Sequence, residues 1–160
     1  MDLIEITGVK SSAEKPMPAI MSIAKCKCPR CRQGNMFVDK NPYHLKHTMQ
    51  MHETCPVCGQ AFNLEVGFYY GSGYSSYAIS IAVSVFSFVV YALTVGMSIN
   101  DYRFLYWIII NAILLVALQP IIMRVARSMW LALFVSYDSN WRHNKADVPE
   151  RTNDTQKNNW

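Results

Sequence analysis

Two stretches of the chain have almost no polar punctuation. No Asp, Glu, Lys, Arg or His occurs from Gly67 to Asn100, or again from Phe104 to Met123. A helix rises 1.5 Å per residue, so about 20 apolar residues cross a hydrocarbon layer of about 30 Å. The pattern predicts a first span over 77–97 and a second over 104–122, joined tightly through Ser98–Arg103. The ten Ile, Leu, Val and Phe residues of the first span favour insertion by about 3–6 kcal/mol. The alternative, two buried helices of a soluble protein, lacks the chain to cover them. Helical periodicity resumes after Met123. Pro120, which has no N–H, is expected to bend or break the second helix. The segment 123–137 then reads as an interfacial helix, with Arg124, Arg127 and Trp130 at the membrane interface and the two arginines reaching lipid phosphate. A straight extension of the second span is the simpler alternative.

One face of the first span is small and polar. Gly73, Ser76, Ser80, Ser84, Ser87, Tyr91 and Thr94 fall within an arc of about 80° at 100° per residue. Such a stripe is a packing seam that lets two helices approach, or else a polar pathway. Asn111 and Gln119 of the second span are expected to face it, because an amide aimed at lipid is unsatisfied.

Outside the hairpin the chain is polar. Residues 1–24 read as a flexible leader, 25–66 as a small cysteine-bearing module, 67–137 as the membrane hairpin with its interfacial helix, and 138–160 as a polar tail. The leader lacks the basic start and apolar run of a secretory signal. The expected fold class is a zinc-ribbon-like module followed by an α-helical transmembrane hairpin and an interfacial helix. The chain as a whole is 51% hydrophobic and only 16% charged, which excludes both an ordinary soluble globule and a disordered chain. A net charge of +4 is too mild to imply nucleic-acid binding. Its distribution says more. Of 15 Lys and Arg, only Arg103 lies in the short loop. The positive-inside rule therefore puts both termini and the cysteine module in the cytoplasm, with the hairpin in the inner membrane.

The five cysteines are Cys26, Cys28, Cys31, Cys55 and Cys58. Cys28-Pro29-Arg30-Cys31 and Cys55-Pro56-Val57-Cys58 stand 23 residues apart. Two C-x2-C turns supply four thiolates that converge tetrahedrally on one ion. Gly59 and Gly34 let the backbone curl so that N–H groups point at sulfur. Phe37 and Phe62 supply a small apolar base. Zinc is the cytosolic default, and iron is the alternative that the spacing leaves open. Cys26 is a leftover thiol. A rival ligand set, Cys28, Cys31, His47 and His52, leaves Cys55 and Cys58 idle. A thioredoxin-like dithiol needs a βαβ frame for which the polar part is too short.

The order of motifs resembles a known family. Cys-Pro-Arg-Cys-Arg-Gln-Gly-Asn-Met-Phe (28–37), Cys-Pro-Val-Cys-Gly (55–59), Gly-Phe-Tyr-Tyr-Gly (67–71), Tyr-Ser-Ser-Tyr-Ala (74–78), Pro120, Arg124, Arg127 and Trp130-Leu131 are similar to the bacterial membrane proteins grouped as domain of unknown function 983. That resemblance implies no activity. Through the gene context of some relatives it implies respiratory-oxidase assembly as a setting. No nucleophile–base pair, phosphate loop or paired catalytic carboxylates is visible, so a non-enzyme is expected. It would be a membrane-tethered zinc ribbon that acts as an assembly or adaptor module for a protein partner. A rubredoxin-like iron electron carrier is the alternative, and a nucleic-acid-binding ribbon the weaker one. A basic rim of Lys25, Lys27, Arg30 and Arg32 is available for anionic lipid or protein.

Overall fold

A computed structural model describes residues 17–96 and 102–146. Its elements are a short helix α1 (Ala19–Ala24), a 3-10 turn (Phe68–Gly71), α2 (Ser72–Val95) and α3 (Arg103–Phe134). α2 and α3 form the hairpin. The segment between α1 and the 3-10 turn holds three isolated antiparallel bridges, Lys27 with Asn35, Phe37 with Met51 and Thr54 with Ala61, and no strand among the described residues. We call it the head.

α2, with its 3-10 turn, and α3 are both long and apolar enough to cross a membrane by length and composition. Their outer faces carry bare apolar side chains: Phe86 is 71% exposed, Leu93 82%, Ile113 66% and Val116 76%. This is the opposite of a core helix in a soluble protein, whose apolar face is covered. The seam is where the pattern placed it. Half-buried positions on α2 recur at Ser76, Ser80, Ser84, Ser87 and Tyr91. Ser76, Ser80 and Ser84 each donate back to the carbonyl four residues earlier, which satisfies the hydroxyls without water. Asn111 closes the seam. Its Oδ1 accepts from Ser87 Oγ at 2.9 Å and its Nδ2 donates to Ser84 Oγ at 3.2 Å. Trp107 Nε1 donates to Ser87 Oγ at 3.3 Å, and Tyr91 OH donates to the Arg103 carbonyl at 3.0 Å. Asn111→Leu should weaken the hairpin by about 0.6–1.7 kcal/mol, read as a lower unfolding temperature of the detergent-solubilised chain.

Gln119 does not join the seam; it is exposed, as are Gly73 and Thr94. Eight residues separate it from Asn111, and eight steps of 100° leave about 80° between the two side chains. The half-buried positions of α3 between Asn111 and Gln119 are Leu114, Leu115 and Leu118, so the seam passes Gln119 by.

Pro120 does not end the second helix. α3 runs unbroken from Arg103 to Phe134, so no separate interfacial helix over 123–137 exists. The proline removes one N–H from a helix whose flanks are strong helix formers. Tyr43 OH adds a bond to the Ala117 carbonyl at 3.2 Å, in the turn where the proline depletes hydrogen bonding. At 1.5 Å per residue α3 is about 48 Å long, so about 18 Å exceeds a hydrocarbon core. That surplus is where the head is built. Ile122, Arg124, Ala126, Ser128 and Leu131 are all buried, although they point to opposite sides of the helix. The head therefore wraps this end of α3 instead of resting on one face. At the far end, Arg103 Nη1 donates to the Val95 carbonyl at 3.1 Å, a cation on the C-terminal carbonyls of α2 that complements the helix dipole.

Candidate metal centre

The two C-x2-C turns fold alike because their backbone bonds repeat. Cys28 N–H donates to the Gly34 carbonyl and Arg32 N–H to the Cys28 carbonyl. In the second turn, Cys55 N–H donates to the Gln60 carbonyl and Gly59 N–H to the Cys55 carbonyl. Each turn needs a left-handed residue directly after its second cysteine. Gly59 takes that position at φ 72° and Arg32 at φ 56°. Arg32 has no glycine's freedom, but its guanidinium lies 4.1 Å from the Tyr137 ring and donates to the Met17 carbonyl, which holds it there. Gly34, expected to curl the backbone, serves differently. It lacks a left-handed φ, but a Cβ there would overlap Cys55 Sγ.

The turns face each other. Cys28 Sγ lies 3.7 Å from Cys58 Sγ, and Cys31 Sγ 3.7 Å from Cys55 Sγ. All four sulfurs lie within 4.8 Å of one another. A tetrahedron with bonds of about 2.3 Å to sulfur has edges of about 3.8 Å. The donor set thus fits one ion and leaves no room for the bridging sulfides of a cluster. Amide hydrogens point at the sulfurs: Cys31 and Gly34 N–H at Cys28 and Cys31, Cys58 and Gln60 N–H at Cys55 and Cys58. Donation from Cys28 holds Cys31 below the ordinary thiol range and lowers Cys55 to about 7. Cys28 is pushed up, first by its bond to Cys31. Cys58 is pulled down by Cys28, but Cys31, Cys55 and burial outweigh that and raise it. Four sulfurs this close need a cation before all can ionise.

Cys26 stands outside the four. Burial raises its thiol to about 11, against the pull of Arg124. The rival His ligands are not assembled. His47 Nδ1 pairs with Gln50 Oε1 at 3.2 Å, and among the described residues the cluster of possible ligands is the four cysteines, with neither His47 nor His52 among them. Gly34→Ala should displace Cys55 Sγ and weaken metal retention by about 10–100-fold, the usual cost of a disturbed ligand environment. Chelator competition measures it.

The base of the site joins head to hairpin. Phe37 and Phe62 pack in one buried cluster with the cysteines of the turns, as the sequence predicts, and Met36 joins them. Leu131 and Val135, from the end of α3 and just beyond, complete the same cluster. Polar contacts reinforce the joint. Tyr69 OH donates to the Phe62 carbonyl at 2.7 Å and Trp130 Nε1 to the Phe68 carbonyl at 2.8 Å. Arg124, only 5% exposed, is not free to reach lipid phosphate. Its Nε, Nη1 and Nη2 donate to the carbonyls of Thr48, Asp39 and Asn41 at 2.8, 2.9 and 3.0 Å, and the Phe37 ring lies 4.9 Å away. Arg127 likewise faces the head, with Nη1 3.4 Å from the Met49 carbonyl and the guanidinium 5.2 Å from the Tyr69 ring.

The expected basic rim is largely engaged. Arg30, 4% exposed, donates to the carbonyls of Asn144 and Lys145 at 2.9 and 2.8 Å and pairs with Asp138 at 3.4 Å. Lys27 Nζ donates to Asn35 Oδ1 at 2.6 Å. The start of the tail is thus bound to the first turn, and 147–160 lies outside the described residues.

Fold and site together define a class: a four-cysteine head, arranged to hold a metal ion, built onto the end of a hairpin of two long apolar helices. The chain belongs to the family described as "Protein of unknown function (DUF983)", which matches residues 45–134. That match takes in Cys55, Cys58, both helices and Arg124, and begins after the first cysteine pair. No curated protein and no solved structure matches the chain.

Proposed function

We propose that the chain is a non-enzymatic membrane protein of the inner membrane. Its head holds a structural zinc ion at the cytoplasmic face and acts as an assembly or adaptor module. The observation that carries this reading is the shared core: Leu131 and Val135 pack in one cluster with Cys28, Cys31 and Cys55. An ion held there stiffens a surface fixed to the membrane helices. A closed four-thiolate sphere leaves no position for a reactive water, which favours structure over hydrolysis. The bare apolar flanks of α2 and α3 support insertion. Fourteen of 15 Lys and Arg lie on the terminal side of the hairpin, which supports the cytoplasmic orientation. The resemblance noted above puts respiratory-oxidase assembly first among settings for a partner.

One observation favours a second reading. The amide hydrogens aimed at the sulfurs are the groups that tune the potential of an iron–thiolate centre, and a single iron fits the same tetrahedron. The nucleic-acid reading gains nothing from the head, because Arg30, Arg32 and Lys27 have protein partners. Metal analysis with a visible spectrum of chain purified from membranes separates the first two. One equivalent of zinc in a colourless protein supports the structural role. A coloured protein with stoichiometric iron replaces it with electron transfer.

A further inference from the structure

Where the head meets α3 there is a cavity of about 340 Å³, walled by Lys25 near α1, Phe37 and Lys40 of the head, and Ile121 and Arg124 of α3. We propose that it binds the phosphate of an anionic phospholipid headgroup. This rests on the membrane reading above and adds a ligand to it.

Two observations converge. The first is charge. Arg124 is buried, yet its bonds run to three neutral carbonyls. No carboxylate lies within ion-pair distance of Arg124, Lys25 or Lys40 among the described residues. A buried cation without an ion-pair partner is costly. This one borders the cavity with its donors spent on those carbonyls, so it contributes positive charge while Lys25 and Lys40 contact the phosphate. Asp39 also borders it and keeps its negative charge, held by the Asn41 N–H and His44 Nδ1, so three cations face one carboxylate. That leaves an excess of positive charge around the opening. The second is depth. On α3 the bare apolar surface runs through Ile113 and Val116, and Ile121 is still 36% exposed. From Ile122 onward buried positions appear, at Ile122, Arg124, Ala126, Ser128 and Leu131, while Met123 and Leu133 stay exposed. The cavity straddles that boundary. Tyr43, on the head's loop, reaches Ala117, about 10 Å along the helix below Arg124, so the loop extends alongside the apolar surface. A chain inserted to this boundary sets the cavity in the headgroup layer of its own leaflet. A lipid phosphate reaches it from the side while its acyl chains follow the apolar face of α3.

Lys25 and Lys40 are exposed, so they are replaced in preference to Arg124, whose loss disturbs the head itself. Full-length chain is delipidated in mild detergent and offered phosphatidylglycerol, phosphatidylcholine or inorganic phosphate, with binding read by native mass spectrometry and by shift of the unfolding temperature. Phosphatidylglycerol should bind at least tenfold more tightly than phosphatidylcholine. The double variant Lys25→Gln/Lys40→Gln should lose about tenfold or more. Ala24→Phe, which fills the cavity wall and keeps every charge, should lose comparably. Lys46→Gln, a nearby exposed lysine outside the cavity, should change nothing. If Lys46→Gln weakens binding as much as the double variant, diffuse surface charge is responsible and the site is refuted. If inorganic phosphate at equal concentration displaces the lipid, the cavity is a soluble-anion site and the lipid assignment falls. A membrane-inserted chain that does not discriminate between the two lipids overturns this inference alone. A chain recovered in the soluble fraction overturns the membrane reading beneath it.

Discussion

Cys55→Ser should abolish metal binding and leave the hairpin helical beside a head without fixed structure. The head's own apolar base is Met36, Phe37 and Phe62, with Leu131 and Val135 borrowed from α3 and its end. Its only β structure is three isolated bridges. A base that small does not by itself offset the conformational entropy of ordering the head. A four-thiolate site supplies about 10–16 kcal/mol when it closes on zinc, so ion and fold are lost together. Trypsin should then cut rapidly at Lys27, Lys40 and Lys46, while far-ultraviolet circular dichroism retains the signal of α2 and α3. Cys26→Ser is the internal comparison. Its thiol lies outside the four-sulfur set, so metal content should stay at one equivalent. A Cys55→Ser chain that keeps both its metal and its protease resistance would show that the thiolates do not organise the head.

Arg124→Leu is expected to be the most damaging single change outside the cysteines, at about 3–5 kcal/mol. The side chain is buried, and its removal strands the carbonyls of Asp39, Asn41 and Thr48 together. Hydrogen bonds to charged groups contribute about 1.5–3 kcal/mol each, and losses within one network do not simply add. Arg124→Lys should recover only part, because a single ammonium cannot meet three carbonyls held in a guanidinium's plane. The damage should be local. The loop 39–50 becomes cleavable at Lys40 and Lys46, while the four cysteines keep their ion. Undiminished loop protection in Arg124→Leu would mean that the loop is held by something other than this clamp.

These two sites differ in how readable they were. The cysteines announce themselves because C-x2-C spacing is local: a turn of four residues fixes where two sulfurs point. Phe37 and Phe62 follow from the same short range. The serine seam and Asn111 were legible because helical phase carries over one helix length. The same phase argument also placed Gln119 on the seam, where Leu115 and Leu118 take the half-buried positions instead and Gln119 is exposed. Pro120 misled because the rule for proline concerns a single N–H, whereas the continuation of α3 is decided by the head packed around residues 122–131. Arg124 had no legible partner at all. Its acceptors are backbone carbonyls, which every residue type supplies and no sequence marks. Arg30 looked like a surface charge for the same reason, since two of its partners are carbonyls 114 and 115 residues downstream. Where the contact is between side chains at short range, the pattern suffices. Where a long cation gathers main-chain oxygens from distant segments, only the folded chain reveals it.

The most direct test of the account is the metal-to-protein ratio of the chain extracted by detergent from alkali-washed membranes, determined alongside the rate at which native thiols alkylate. The account predicts retention through the wash, one ion per chain, and four cysteines that react only after the ion is chelated. Chain released by the wash, or membrane-bound chain that carries no ion and whose native thiols alkylate as fast as denatured ones, would contradict it.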